Sequence, residues 1–372
     1  MNEHRIQSTT TAPEAPSPKI IFDRSQALRM CTFNRPRVLN ALDDEMCRAL
    51  SEELPRVARN PDIYIVALLS SSPRAFCAGG DVVALTNAAK SDLQSAKTWM
   101  RDEYKLDWLL ECFSKPTVSF VDGLCMGSGA GLTTYNTHRI AGENYKWAMP
   151  EAKIGLFPDV GIAHALARLP WPIGLYLGLT GRTITRDDAQ WLGLVTHCIA
   201  SSHFADILAK LADAEPVDPM LDGLNEMQGE GALQKDIGFI RDHFSYPVLT
   251  DILRSLTKAE TAGCDWARQT LSGLRKSSPM SLAITDRHIR NALTLDIRET
   301  LIEDYRIAAR CLEAPDFFEG VRAALRDKDG APKWSPETFD DIAPDAVNGY
   351  FAPLGDDELE LPTRVEMQAA RV

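Results

Sequence analysis

Two carboxylates, Glu151 and Asp159, share the stretch MPEAKIGLFPDVG (residues 149–161), and a proline stiffens the backbone directly before each of them. A pair of acids delivered to one point can orient a water, move its proton or attack an electrophilic carbon. The same two residues also suit plain structural duty, Glu151 as a helix-start acid and Asp159 as a turn or cap residue. Upstream lie two glycine turns. SSSPRAFCAGGDVVAL (70–85) places Gly79 and Gly80 before Asp81, and DGLCMGSGAGL (122–132) runs through Gly127, Ser128 and Gly129 into a helix. Turns of this kind bring bare N–H groups close to a ligand, although either is also compatible with a simple strand-to-helix connection.

The second turn does not match a dinucleotide fingerprint, because Gly127, Gly129 and Gly131 are followed by Leu132 and no G-x-G-x-x-G results. It is not a nucleophile elbow either, since Met126 occupies the position two before Ser128. A backbone-amide anion site or close packing remains. Two glycine turns that each follow a parallel strand open on the same side of a sheet, so their N–H groups can converge as an oxyanion hole for a developing carbonyl charge. That chemistry implies an acyl substrate. No H-E-x-x-H and no Cys/His cluster suggests a metal, and His138, His164 and His197 read as satisfied core or surface residues.

The elements that would position these groups follow a βα alternation. KIIFDRS and ALRMCTFN form a strand pair turning near Ser25 and Gln26, and DDEMCRALSEELPRVARN is an amphipathic helix with acids in its first turn. IYIVALLSS and TVSFVDG are buried strands, SDLQSAKTWMRDEYKLDWLLECF is a long helix, and GSGAGLTTYNTHRIA is a helix running into a strand. Beyond about residue 200 helical patterns dominate. The expected organisation is a disordered tail over 1–18, an α/β core over 19–213, a Pro/Gly-rich linking loop over 214–233, a helical region over 234–352 and a loosely ordered acidic end over 353–372.

The 372 residues carry a formal net charge of −12, with 45% hydrophobic and 25% charged residues. With no Lys/Arg block, nucleic acid is disfavoured. No apolar run approaches a membrane span, and the N-terminal segment lacks a signal-peptide core and a transit-peptide composition. Eight scattered cysteines without C-x-x-C pairs fit reduced thiols. A cytoplasmic protein is expected, or one of the mitochondrial matrix in a eukaryote.

FNRPRVLNAL (33–42), RAFCAGGDV (74–82), VDGLCMGSGAGL (121–132) and MPEAKIGLFPDVG resemble, in order and spacing, the crotonase or enoyl-CoA hydratase/isomerase superfamily. APDFFEGVRAALRDKDGAPKWSP (314–336), with LFPDVG and RDEYKLDWLL, resembles its subgroup of hydrolases that act on 3-hydroxyisobutyryl-CoA in valine breakdown. The resemblance spans about residues 20 to 340 and implies an α/β fold, a crotonase-like spiral of repeated ββα units, with a helical C-terminal region. It implies backbone oxyanion donors at Gly80 and Ser128, the latter usually Gly in the family, and catalytic acids at Glu151 and Asp159. Glu103 and Asp81 would contact the substrate. Arg35, Arg37, Val38, Asn40 and Ala41 would lie along CoA. The hydratases use two glutamates, and Gly131 stands here in place of the second. The implied reaction is hydrolysis of a short 3-hydroxyacyl-CoA, without metal or cofactor beyond the CoA of the substrate, in a homo-oligomer of trimeric or hexameric kind. Two other functions stay open: an enoyl-CoA hydratase or isomerase using Glu151 as base, and a non-catalytic acyl-CoA-binding protein.

Overall fold

The computed structural model describes residues 17–343 and 345–372. The tail expected over 1–18 therefore lies, up to residue 16, outside the described residues.

Two sheets carry the core. The larger has six strands in the order β1-β2-β3-β5-β7-β10 and the smaller four in the order β4-β6-β8-β9. β1 (Ile20–Ser25) and β2 (Leu28–Phe33) form the antiparallel hairpin, with Gln26 at φ 48° in its turn. β3 (Ile65–Ser70), β5 (Thr117–Val121), β7 (His138–Ala141) and β10 (His197–Cys198) continue the sheet in parallel. Every residue of β5 is buried, as a parallel strand covered on both faces requires.

The smaller sheet takes one short strand from each turn of the chain. β4 (Ala75–Cys77), β6 (Leu124–Met126) and β8 (Lys146–Ala148) run parallel, and β9 (Ile184–Thr185) closes the edge antiparallel to β8. The chain thus repeats long strand, short strand, helical turn. This is the ββα spiral, and it stacks three successive connections side by side.

Helices α1 (Asp44–Arg59), α2 (Val82–Ser91) and α3 (Leu93–Glu111) are each capped by an aspartate, Asp43, Asp81 and Asp92, accepting from a first-turn N–H. α4 (Ser128–Thr134) and α5 (Ile162–Ala167) are short and almost wholly buried. From Phe204 onward the regular elements among the described residues are helical.

Two stretches differ from the expectation. The segment 214–233 contains a helix, Val217–Asp222, with Leu221 fully buried among Ile207, Leu211 and Ala212. Asp218 and Asp222 of that helix bond His138 and His197 at 2.9 and 3.2 Å, so the two histidines fasten it to the edge of the large sheet. Pro219 sits in the first turn, where its missing N–H does no harm. The acidic end, expected to be loosely ordered, is also packed. Leu359, Leu361, Met367 and Val372 are buried, the indole of Trp108 donates to the Pro362 carbonyl at 2.9 Å, and Thr363 and Glu366 form a capping box at the helix Arg364–Ala369. Alternating leucines against α3 outweigh an acidic average composition.

Candidate active site

The parallel pairing of β4 with β6, which shifts register between Ala75 and Cys77, sets Cys77 beside Cys125, and each strand leads three residues later to a candidate amide, Gly80 or Ser128. Gly79 lies at φ 114°, and Gly127 at φ 49° and ψ −126°, conformations open to glycine. The two turns touch: a methyl group built on Gly127 would stand 3.2 Å from Gly79 Cα, and one on Gly80 would stand 3.1 Å from Ser128 Oγ. Ser128 opens α4, so its N–H has no partner inside the helix. Neither Gly80 N–H nor Ser128 N–H donates to a backbone carbonyl among the described residues outside regular elements. Gly80 and Ser128 both line one cavity.

The acids arrive from three directions. Glu151 follows β8 and opens a 3₁₀ turn, Glu151–Ile154, and its Oε1 would lie 2.8 Å from a Cβ at Gly127. Asp159 hangs from the loop before α5, where its Oδ2 accepts from the Tyr104 hydroxyl at 2.8 Å. Glu103 comes from the middle of α3. These three carboxyls share a cavity of about 330 Å³ with Gly79, Gly80 and Ser128, and Met100, Leu156 and Leu325 supply apolar wall.

The cavity is acidic. Glu103 Oε1 and Glu151 Oε2 are buried without a hydrogen-bond partner, an expensive arrangement for a carboxyl unless it is needed for chemistry. Burial pushes Glu103 up to about 7, against the pull of the Ser128 hydroxyl. Burial, and next the charge of Asp159, raise Glu151 well above the ordinary carboxylate range. Asp159 is raised in the same way by burial and by Glu103 and Asp304, the Tyr104 hydroxyl working in the opposite direction. Carboxyls that hold protons near neutrality are the tuning expected of acid–base groups.

Asp107, Tyr104, Asp304 and His288 belong to this assembly and are missing from the sequence-based set. Asp107 stands one helical turn after Glu103 on α3, is 2% exposed, and is pushed well above its ordinary pKa by burial and by Glu103. Two acids four residues apart among Tyr104, Leu106 and Trp108 were the signal that could have marked it. Asp107 also helps explain Gly131. A Cβ at position 131 would lie 2.7 Å from Val160 Cβ and 3.1 Å from Asp107 Oδ1. No glutamate fits there without moving both.

The residues expected along CoA divide. Arg35 is held by the Ala41 carbonyl and by Asp81 and Asp43, the Asp81 contact at 3.0 Å, and Asn40 is fully buried, its amide on Ser70 Oγ and the Phe76 carbonyl. These contacts brace the loop before α1 from within. Ala41 enters through its carbonyl alone. Arg37 and Val38 project into solvent. Asp81 caps α2 through the Ala84 N–H and pairs with Arg35, and it lies outside the lining of the cavity.

Known proteins share this architecture. The family model described as enoyl-CoA hydratase/isomerase matches residues 28–351. The mitochondrial 3-hydroxyisobutyryl-CoA hydrolase of Xenopus tropicalis is 36% identical over 340 residues, covering 89% of this chain and 88% of its own length. The human mitochondrial 3-hydroxyisobutyryl-CoA hydrolase is 32% identical, over 96% and 93%. Among solved structures, an enoyl-CoA hydratase from Rhodobacter sphaeroides superposes with a TM-score of 0.86 at 33% identity, over 92% of this chain and 100% of its own. A carnitinyl-CoA dehydratase from Mycobacterium thermoresistibile gives 0.86 at 30%, over 92% and 98%. The family model spans most of the chain, and the two hydrolases match it at more than 30% identity over about nine-tenths of its length: the protein belongs to the enoyl-CoA hydratase/isomerase family.

Proposed function

We propose that the chain hydrolyses a short 3-hydroxyacyl-CoA, with 3-hydroxyisobutyryl-CoA the foremost substrate, to the free hydroxy acid and CoA, a step of valine breakdown. One observation carries the choice of hydrolysis over hydration. The wall at Gly131 is closed by Val160 and Asp107 to a second glutamate, while Glu103, Glu151 and Asp159 meet at the two free amides. Hydration of a double bond calls for two acids around one water, whereas thioester cleavage calls for an oxyanion hole and one group at the acyl carbon.

In this reading the thioester oxygen lies between the N–H groups of Gly80 and Ser128, each contributing about 3 kcal/mol to the tetrahedral oxyanion. Glu151 meets the acyl carbon, through a water it deprotonates or by direct attack to a mixed anhydride that water then opens. The C–S bond breaks with its electron pair on sulfur, and Asp159, steadied by Tyr104, shuttles the proton. Glu103, poised near neutrality, both accepts from and donates to the substrate hydroxyl. A buried partner of that kind discriminates strongly against acyl groups lacking the hydroxyl. Arg37 and Val38 are the exposed residues left along the CoA path. A homo-oligomer is part of the proposal, as is a location in the cytoplasm or, in a eukaryotic cell, the mitochondrial matrix. No described helix is long and apolar enough to cross a membrane.

The test is thiol release from 3-hydroxyisobutyryl-CoA, 3-hydroxypropionyl-CoA and crotonyl-CoA in parallel. Rapid thiol from the two hydroxyacyl esters alone is expected. Loss of enoyl absorbance from crotonyl-CoA without thiol would replace the hydrolase with hydratase chemistry.

A further inference from the structure

The loop that presents Asp159 is gripped from behind by the helical C-terminal region. The Gly161 N–H donates to Asp304 Oδ2 at 2.7 Å, and the Gly161 carbonyl accepts from the Tyr135 hydroxyl at 2.6 Å. Asp304 lies on the helix Ile297–Cys311 and is fully buried. Its other oxygen meets His288 Nε2 at 2.6 Å, while His288 Nδ1 meets Glu303 at 2.8 Å. His288, on the helix Pro279–Asn291, is itself fully buried, and its ring packs edge-on against Phe157 with 5.5 Å between centroids. One imidazole therefore reaches the loop twice, through Phe157 before Asp159 and through Asp304 after it.

Between these grips the backbone is strained. Val160 sits at φ 53° and Gly161 at φ 73°. A β-branched residue in the left-handed region is unfavourable and persists only where the surroundings impose it. The candidate catalytic Asp159 immediately precedes this position. Nothing in the proposed chemistry uses His288, Glu303 or Asp304, yet three ionisable side chains have been buried to make the clamp.

We infer that His288 and Asp304 form a positioning pair that holds the 157–161 loop in its strained form and thereby aims the Asp159 carboxylate into the cavity. The inference rests on the hydrolase reading for its effect on turnover, but the clamp can be read without activity. With the pair intact, the loop has one conformation. Without the Asp304 acceptor, Gly161 N–H loses its partner and Val160 relaxes to negative φ, swinging Asp159 away from Tyr104.

The experiment compares Asp304→Ala, Asp304→Asn, Tyr135→Phe and a control, Leu271→Ala, which opens the core in the helix Asp265–Leu274 away from the cavity. Asp304→Ala should lower kcat about 10²-fold with KM within about twofold of wild type, the pattern of a misaimed group rather than of lost binding. Asp304→Asn keeps an acceptor for Gly161 N–H and should recover about tenfold or more of that loss. Tyr135→Phe is gentle enough to fold whatever Asp304→Ala does, and should lower kcat in the same direction by about tenfold. Amide hydrogen exchange across residues 157–163 should quicken in Asp304→Ala and not in Leu271→Ala. Equal kcat in Asp304→Ala, Tyr135→Phe and Leu271→Ala, or unchanged exchange in the loop, would overturn the positioning role. Wild-type protein that releases no thiol from any ester would instead defeat the hydrolase reading, leaving the clamp to the exchange measurement.

Discussion

Replacing Glu103 with Gln should make the protein more stable, and increasingly so as pH rises. Its carboxyl moves from an ordinary 4.5 to about 7, chiefly through burial. Below pH 4.5 the group is protonated both folded and unfolded and contributes no difference. Between 4.5 and 7 the unfolded chain releases the proton while the folded one retains it, so stability falls with pH. Above 7 the loss levels off, at about 3 kcal/mol. With an unfolding entropy of about 2 cal/mol/K per residue, that is about 4 °C in Tm for a chain of this length. The measurement is thermal unfolding of wild type and Glu103→Gln from about pH 4.5 to 8.5. The two curves should meet at the acid end and separate toward alkaline pH, with the variant on top. Because the Glu103 charge also raises Asp159 and Asp107, its removal relaxes them and widens the gap. Parallel curves would mean that water reaches Glu103 and that burial does not raise its carboxyl. The same variant should discriminate less between hydroxyacyl esters and their deoxy analogues.

Further outcomes follow from the same geometry. Glu151→Gln should abolish nearly all thiol release while unfolding at the wild-type temperature or above, since it removes a buried carboxyl without a partner; wild-type turnover in this variant would end its catalytic role. Asp159→Asn should lower kcat by about 10² to 10⁴, and unchanged kinetics would leave it a turn residue. Gly127→Ala should lose activity and part of its stability, because its methyl meets the movable tip of Glu151 at 2.8 Å in a backbone conformation that favours glycine, whereas Gly129→Ala should lose more stability, its methyl lying 2.4 Å from the Cys77 carbonyl. Circular dichroism melts beside thiol-release rates separate the two, and the reverse ranking would contradict the assigned packing.

Much of this arrangement was legible because local signals and tertiary structure agree. The hairpin, α3 and the glycine turns each announce themselves within a dozen residues, and two turns after parallel strands had to open on one side. The smaller sheet was not legible. Its strands are two or three residues long, too short for any periodicity, and they exist because β4, β6 and β8 lie beside one another. The helix at Val217–Asp222 and the packed C-terminal end were hidden by proline, glycine and acid content, since their order comes from Leu221, Leu359 and Leu361 finding distant partners. The supports of the site were hidden for the same reason. Tyr104 meets Asp159 across 55 positions and Gly161 meets Asp304 across 143, distances at which one sequence carries no pairing signal. Arg35 misled because an arginine in a loop suggests an anion, while its real partners, Asp43 and Asp81, stand on either side of α1 and at the start of α2.

The crowd of carboxyls around the cavity also bears on how a turnover ends. The acyl group that enters is uncharged, and burial next to Glu103, Glu151 and Asp159, with Asp107 and Asp304 behind them, asks little of it. In the proposed reaction hydrolysis turns it into an acid, and the same low-dielectric space that raises the cavity's own carboxyls penalises the ionised form of the product. Ionisation of the product in bulk water then favours its departure. A site of this kind stays open to fresh thioester even as the free hydroxy acid accumulates.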